Sequence, residues 1–413
     1  MNEYTKRLEC AGCGNDSLET ILDLGSVPFV GEFPSYEDLD NQTRWDLNLL
    51  FCDNCKLVQT DSLIEPKVAF KDYRYLSSVS LSEYFKQVAF DLNEDYNIKD
   101  KKILEIGCND GVLLSPLSKL GADVEGVDPS EIPYKIAKDK GLKVYNKFFN
   151  YENFNSDYFI SRYDFVLANN SFAHIIDVQN VIEGVRNVLK VNGYFVFEVH
   201  YLNSIIDGKQ WDNVYHEHIF YYSITALKNM FQKHNMTLVD FEEIPIHSGS
   251  IRVTVANRNT YLPPKIMKRM ELESKNIADI DYLKKYRVTV KKHISDFNNQ
   301  IKELSKDYKI AGYGASGRAG IFCSMTGLDE SVVKFIVDES PERCGRYLSG
   351  TKIPIVEVDK LKNSDVDIII IFAWNYSKMI IQKTQFKRYS YLVAFPKVQL
   401  VSSYEDLRGF DSI

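Results

Sequence analysis

Four of the seven cysteines stand in two Cys-x-x-Cys pairs, Cys10-Ala11-Gly12-Cys13 and Cys52-Asp53-Asn54-Cys55. Each pair puts two sulfurs on one tight turn, and two such turns facing each other make a tetrahedral S4 site, the geometry zinc accepts. The stretch from Gly14 to Phe51 must therefore fold back on itself. Gly12 and Gly14 suit knuckles whose N–H groups turn towards sulfur. A redox role fits less well, because there are two pairs and neither opens a βαβ pattern. With four protein ligands the metal has no open position, so Cys10, Cys13, Cys52 and Cys55 are expected to hold structural zinc.

The rest of the chain is too long for one core: 413 residues suggest two or three domains. Hydrophobic residues at 45% and charged residues at 26% are a folded composition. A net charge of −7 argues against a non-specific nucleic-acid surface. The first residues lack the apolar stretch of a signal peptide. The longest apolar run, Ile368 to Trp374, is short for a membrane span and suits a buried strand. A cytoplasmic enzyme with no membrane partner is the expectation, and a reducing compartment favours metal ligation over disulfides.

From Lys101 the pattern turns α/β. Lys102 to Ile106 reads as a buried strand, followed by Gly107-Cys108-Asn109-Asp110-Gly111 and an apolar-periodic helix. A second strand, Val124 to Val127, ends at Asp128. A helix from Glu131, a strand around Asp164 to Ala168, a helix from Val178 and a strand Gly193 to Val199 follow. This alternation predicts a doubly wound parallel sheet with its ligand at the carboxyl ends of the strands. In Glu105-x-Gly107-x-x-x-Gly111, Gly107 permits a sharp turn and Gly111 a close approach of helix and ligand. Asp128 can accept hydrogen bonds from two ribose hydroxyls. A dinucleotide loop would want a glycine where Asn109 stands, and Asp110 is poor for a diphosphate but tolerable for a sulfonium with an amino-acid tail.

Past a hairpin-like stretch, Leu238 to Val255, a helical stripe runs through Tyr286, Val290, Ile294, Phe297, Ile301 and Leu304. His293 lies beside it with no role assigned. A second α/β unit opens on Gly312-Tyr313-Gly314-Ala315-Ser316-Gly317, with Asp338 at the end of the next strand. Alone, this is a dinucleotide fingerprint and makes an NAD-dependent oxidoreductase the runner-up. Gly314 and Arg318 would equally hold substrate phosphates, and substrate binding is preferred.

The densest titratable cluster is Trp211-Asp212-Asn213-Val214-Tyr215-His216-Glu217-His218, placed where a loop would cover the cofactor. In an extended loop the two histidines share a side with Glu217 opposite. A histidine held by a carboxylate or tyrosine is a general base near neutral pH.

Taken together the chain resembles the sugar C-methyltransferases of deoxysugar biosynthesis. The resemblance rests on the two cysteine pairs, Tyr73-Arg74-Tyr75-Leu76-Ser77-Ser78, Glu105 to Gly111, Ala168-Asn169-Asn170-Ser171-Phe172-Ala173-His174, Phe197-Glu198-Val199, Tyr215 to His218, His247-Ser248-Gly249-Ser250-Ile251-Arg252, and Gly345 to Gly350. It implies a zinc-binding module (1–75), a Rossmann-like S-adenosylmethionine domain (76–236) and a C-terminal Rossmann-like substrate domain (237–413). The substrate implied is a nucleotide-linked keto-sugar, with dTDP as the nucleotide and a monomer as the working form. His218 is implied as the base that generates an enolate, with Tyr215 and Glu217 assisting and Tyr75 near the sugar. Glu105, Gly107, Asn109, Gly111, Asp128, Asn169, Asn170 and His174 are the implied cofactor residues. His247, Arg252, Gly314, Arg318, Arg346 and Tyr347 are the implied substrate residues. An O-methyltransferase would present the same base beside a hydroxyl. The chain departs from common family residues at His200, Ser248, Arg318 and Gly320.

Overall fold

The computed structural model describes residues 4–30, 32–66, 76–384 and 388–402. Tyr75, expected near the sugar, lies outside the described residues. Three packed units follow one another, built on α/β and antiparallel sheets. Among the described residues no helix is long and apolar enough to cross a membrane.

The first unit is antiparallel. Strands β2 (Leu18–Pro28), β3 (Arg44–Cys52) and β4 (Val58–Thr60) pair in sequence. A short ribbon joins β1 (Tyr4–Lys6) to β5 (Ser62–Ile64). The fold-back expected between the cysteine pairs is the long β2–β3 hairpin. The fourth strand of this sheet comes from far along the chain: β11 (Phe220–Tyr221) pairs with β4, two residues after His218.

The central sheet has seven strands in the order β12-β13-β10-β9-β6-β7-β8. Strands β6 (Lys102–Ile106), β7 (Asp123–Val127), β8 (Lys143–Tyr145), β9 (Tyr163–Asn169) and β10 (Leu189–His200) are parallel. The order reverses between β6 and β9, the switch point at which such sheets bind ligands. The helix Val178–Val188 shows why the sequence folds this way: Val178, Val181, Ile182, Val185 and Val188 bury one face, and Asp177 caps it through the Asn180 N–H.

The central sheet continues past residues 236/237, where the C-terminal unit is expected to begin. The hairpin β12 (Thr237–Ile244) and β13 (Ser250–Ala256) pairs with β10 and closes this sheet, which runs on to Ala256. The hairpin tip, His247-Ser248-Gly249, holds three successive positive φ values of 53°, 66° and 114°. Gly249 is required there, since a Cβ would stand 2.4 Å from Ser204.

The third unit is a six-stranded sheet, β16-β15-β14-β17-β18-β19, parallel except for the last strand. Its members are β14 (Ile310–Tyr313), β15 (Val333–Asp338), β16 (Ile355–Glu357), β17 (Ile368–Ile371), β18 (Ser390–Val393) and β19 (Gln399–Val401). The long helix Ile280–Asp307 precedes it, capped by Asp279. Contrary to the sequence reading, His293 is a member of its buried stripe. The ring accepts from Trp211 Nε1 at 2.9 Å and its Nε2–H reaches the Ala394 carbonyl at 2.7 Å, so the imidazole is a buried neutral linker.

Candidate active site

The four cysteine sulfurs lie within 4.8 Å of one another, with Cys10–Cys55 at 3.4 Å and Cys13–Cys52 at 3.5 Å. A zinc tetrahedron with bonds of about 2.3 Å has edges close to this size. Gly12 is tightly packed, because a Cβ would lie 3.1 Å from both the Cys55 sulfur and the Leu57 side chain. The helix Ile224–Lys233 grips both knuckles, through Lys233 Nζ to the Gly12 carbonyl at 2.9 Å and Asn229 to the Cys55 carbonyl at 3.2 Å.

At the switch point of the central sheet, Gly107 turns with φ 69°, and a Cβ would strike Ser171 at 2.6 Å. Gly111 also needs a positive φ, 75°. Its neighbour at 2.2 Å from a built Cβ is Leu142, so a side chain there would clash with the packing of the domain. Asp128 accepts from the Asn109 and Ser130 N–H groups at 2.9 and 2.8 Å, one on each oxygen. Each oxygen keeps a second lone pair. The Asn109 side chain accepts from the Ser77 N–H at 2.9 Å and ties the helix Ser77–Tyr96 over the loop.

Both side-chain atoms of Asn170, just past the end of β9, are buried without a partner, beside the Glu105 carboxyl and Asn169 amide, which interact with each other, and the His174 ring, which interacts with the backbone of Asn170 and Glu217. Unpaired buried donors and acceptors cost free energy and are rare, so this cluster at the ends of β6 and β9 fits a polar ligand carrying a cation and hydrogen-bonding groups. Burial raises the Glu105 carboxyl to about 8.

Beside this pocket four imidazoles form a row. His218 lies 5.1 Å from His174 and 4.7 Å from His200, ring to ring, and His200 is 5.6 Å from His247. Residues 215–218 form a turn, with the His218 N–H on the Tyr215 carbonyl at 3.0 Å. This overturns the extended-loop reading. The turn separates the two histidines of the loop: His216 faces Phe29 and Trp45 of the first unit, while His218 faces the other imidazoles. It also brings Tyr215 onto His218, hydroxyl to Nε2 at 2.6 Å.

The second ring nitrogen of His218, Nδ1, sits 3.0 Å from the Asn213 carbonyl. A carbonyl only accepts, so Nδ1 carries the proton and Nε2 the lone pair. Burial, then the neighbouring His200 and His174, hold the imidazolium form of His218 well below its usual range, and Arg318 adds to this. His200 is depressed by burial, then by His247 and Arg318. Burial brings His174 and His247 to about 4 and raises Glu217 to about 7. Glu217, His174 and His216 line one small cavity of about 20 Å³, walled by Phe29, Ile64 and Pro66 from the first unit.

The expected substrate residues scatter. His247 joins the imidazole row. Arg252 does not: it stands opposite Glu198 in β10 and pairs with it at 2.9 Å, with Asp91 and Glu242 at 3.7 and 3.5 Å. Arg346 donates to the Phe33 carbonyl at 3.1 Å, and the Tyr347 N–H to Pro34, so both bind the seam with the first unit. Gly314 is needed because a Cβ would meet Ala373 at 2.7 Å. Gly317 and Gly320 pack on Val30, 3.2 and 3.0 Å from a built Cβ, so the start of this helix faces protein rather than a diphosphate. Asp338 is occupied by the Ala315 and Ser340 N–H groups. Arg318 makes a two-point bond to buried Asp212, at 3.0 and 3.1 Å.

Sequence reasoning missed His200, Asp212 and Trp374. Asp212 and His200 carried a signal, the first inside the titratable cluster and the second at the end of a central strand. Trp374 carried none.

Three families match the chain in series. "Putative zinc binding domain" covers residues 10–70, "Methyltransferase domain" 79–240 and "C-methyltransferase C-terminal domain" 245–394. The C-methyltransferase NovU of Streptomyces niveus is 27% identical over 97% of this chain and 98% of its own length. A ubiquinone biosynthesis O-methyltransferase of Histophilus somni is 29% identical over 32% of this chain and 56% of its own. Among solved structures, the magnesium protoporphyrin IX methyltransferase of Synechocystis is 14% identical with a TM-score of 0.34, over 44% of this chain and 81% of that one. With its four-cysteine zinc site in front and the matching C-terminal domain behind, the chain belongs to the S-adenosylmethionine-dependent C-methyltransferases.

Proposed function

We propose that this enzyme methylates the carbon next to the ketone of a sugar carried on a nucleotide, with dTDP as the first candidate, and that His218 provides the base. The observation that carries the reading is the state of His218: neutral, with its Nε2 lone pair directed at Tyr215, beside the ligand end of the methyltransferase sheet. The bound cofactor supplies an electrophilic methyl group. The protein's own task is to make the carbon nucleophilic and hold it in line.

A carbon acid reaches the imidazole through the Tyr215 oxygen, which takes the proton as its own passes to Nε2. Glu217, raised to about 7, is protonated for much of the neutral range and can donate a hydrogen bond to the enolate oxygen. Glu105, Asp128, Asn169 and Asn170 are proposed to hold the cofactor, and His247 to face the sugar. Mixing the protein with S-adenosylmethionine and a panel of nucleotide-linked 4-keto-sugars tests the reading by mass: one added methyl on a panel member is expected. Binding of S-adenosylmethionine with no methylated product on any member would remove this substrate class.

Glu105 gives a pH signature. In the empty pocket its raised carboxyl holds a proton at pH 7, and this protonated form favours the fold. That contribution is complete below the ordinary carboxylate range and is lost as pH rises through about 8. A cationic ligand draws the proton off. Cofactor affinity should therefore rise with pH towards about 8, by at most about tenfold per unit, and Glu105→Gln should flatten the slope. Calorimetry in buffers of different ionisation heat reads the proton released. A flat wild-type profile with no proton release would take Glu105 out of the cofactor pocket.

A further inference from the structure

We propose that the buried Asp212–Arg318 pair is a positioning device through which the C-terminal sheet fixes the ring of His218. This rests on reading His218 as the base and adds a role for residues that touch no reacting atom.

Every residue of the short turn Trp211–Asn213 is fastened. Trp211 donates to His293, itself bonded to the Ala394 carbonyl, and lies flat on Phe322 at 5.1 Å. Asp212 receives the two-point bond of Arg318 and a third from Trp374 Nε1 at 2.9 Å. The Arg318 guanidinium in turn lies over the Trp374 ring, 4.6 Å from its centre. All of these partners belong to the C-terminal half. Asn213 faces the other way: its carbonyl accepts from His218 Nδ1 at 3.0 Å and from the Tyr221 hydroxyl at 3.1 Å. The acceptor that dictates the tautomer of His218 is thus one residue from the most strongly held carboxylate in the loop.

Stability alone is a poor reason for such a pair. Asp212 is 1% exposed, and a buried ion pair is often no more stabilising than apolar residues of the same size. Its geometric value is clear, since a two-point guanidinium–carboxylate bond fixes both distance and plane. Arg318 could leave for a phosphate only by stranding the carboxylate, which is why the phosphate role read from sequence gives way to this one.

The test compares wild type with Asp212→Asn, Arg318→Gln and the double variant. Imidazole ¹⁵N spectra of the seven histidines report the His218 tautomer without any substrate. Wild type should show one state, protonated at Nδ1. All three variants should lose that single state, and turnover on a methylated panel sugar should fall on the order of 100-fold with KM little changed. The double variant carries no stranded charge, so it stays informative should a single variant fail to fold. Trp374→Phe, which removes one hydrogen bond from Asp212, should give a smaller loss of the same kind. Recovery of the tautomer and turnover in the double variant would reduce the pair to charge balance and overturn the proposal. So would an Asp212→Asn protein with wild-type spectra. If wild type methylates no panel sugar, the substrate reading fails, while the spectra still decide the positioning claim.

Discussion

His218→Ala lowers methyl transfer by about 10²- to 10⁴-fold, the range a positioned general base supplies, while S-adenosylmethionine binds as before. The separation is expected because His218 and the proposed cofactor pocket are built on different elements. The ring sits on the 215–218 turn, whereas Glu105, Asp128 and Asn170 sit at the ends of β6, β7 and β9. Tyr215→Phe should cost a comparable amount, since it removes the hydroxyl, 2.6 Å from Nε2, through which the proton is relayed. Initial rates with cofactor affinity measured alongside check both. An alanine variant turning over near the wild-type rate would remove His218 from the reaction.

Removing zinc should damage more than the first unit. Structural zinc contributes on the order of 10 kcal/mol to small sites, and here its module is joined to the loop that carries His218. Strand β11 follows directly on Ile219 and pairs with β4, while the Thr60 N–H reaches the Ile219 carbonyl at 2.9 Å. Phe29, Ile64 and Pro66 wall the cavity that Glu217 and His174 line. Chelation, or Cys52→Ser, should therefore lower the melting temperature by many degrees and abolish methylation in the same titration. Metal analysis, thermal melts and rates on one sample read this together. Full activity in metal-free protein would contradict the coupling.

The cysteine pairs and the Glu105–Gly111 loop were legible because their chemistry depends on local spacing. The closing hairpin Thr237–Ala256 was legible as a hairpin, but alternation says nothing about which sheet a hairpin joins, and it pairs with the central sheet. The turn at Tyr215–His218 escaped because its bond lies between the Tyr215 carbonyl and the His218 N–H, which residue types do not encode. Arg318 was read as a phosphate ligand because a glycine loop with a following arginine suits any anion. Its anion is a carboxylate 106 residues away, a pairing that only the packing of two sheets creates. Gly320 has a similar explanation, since Val30 of the first unit occupies the space a side chain would need.

The central claim is that the methyl group goes to carbon by way of a proton lost from that carbon. A nucleotide-linked keto-sugar carrying deuterium at the positions next to the ketone, incubated with enzyme and S-adenosylmethionine, tests it in one mass spectrum. The account predicts a product heavier by one methyl and lighter by the deuterium at the methylated carbon, absent with His218→Ala. A methylated product that keeps all its deuterium would place the methyl on oxygen and contradict it.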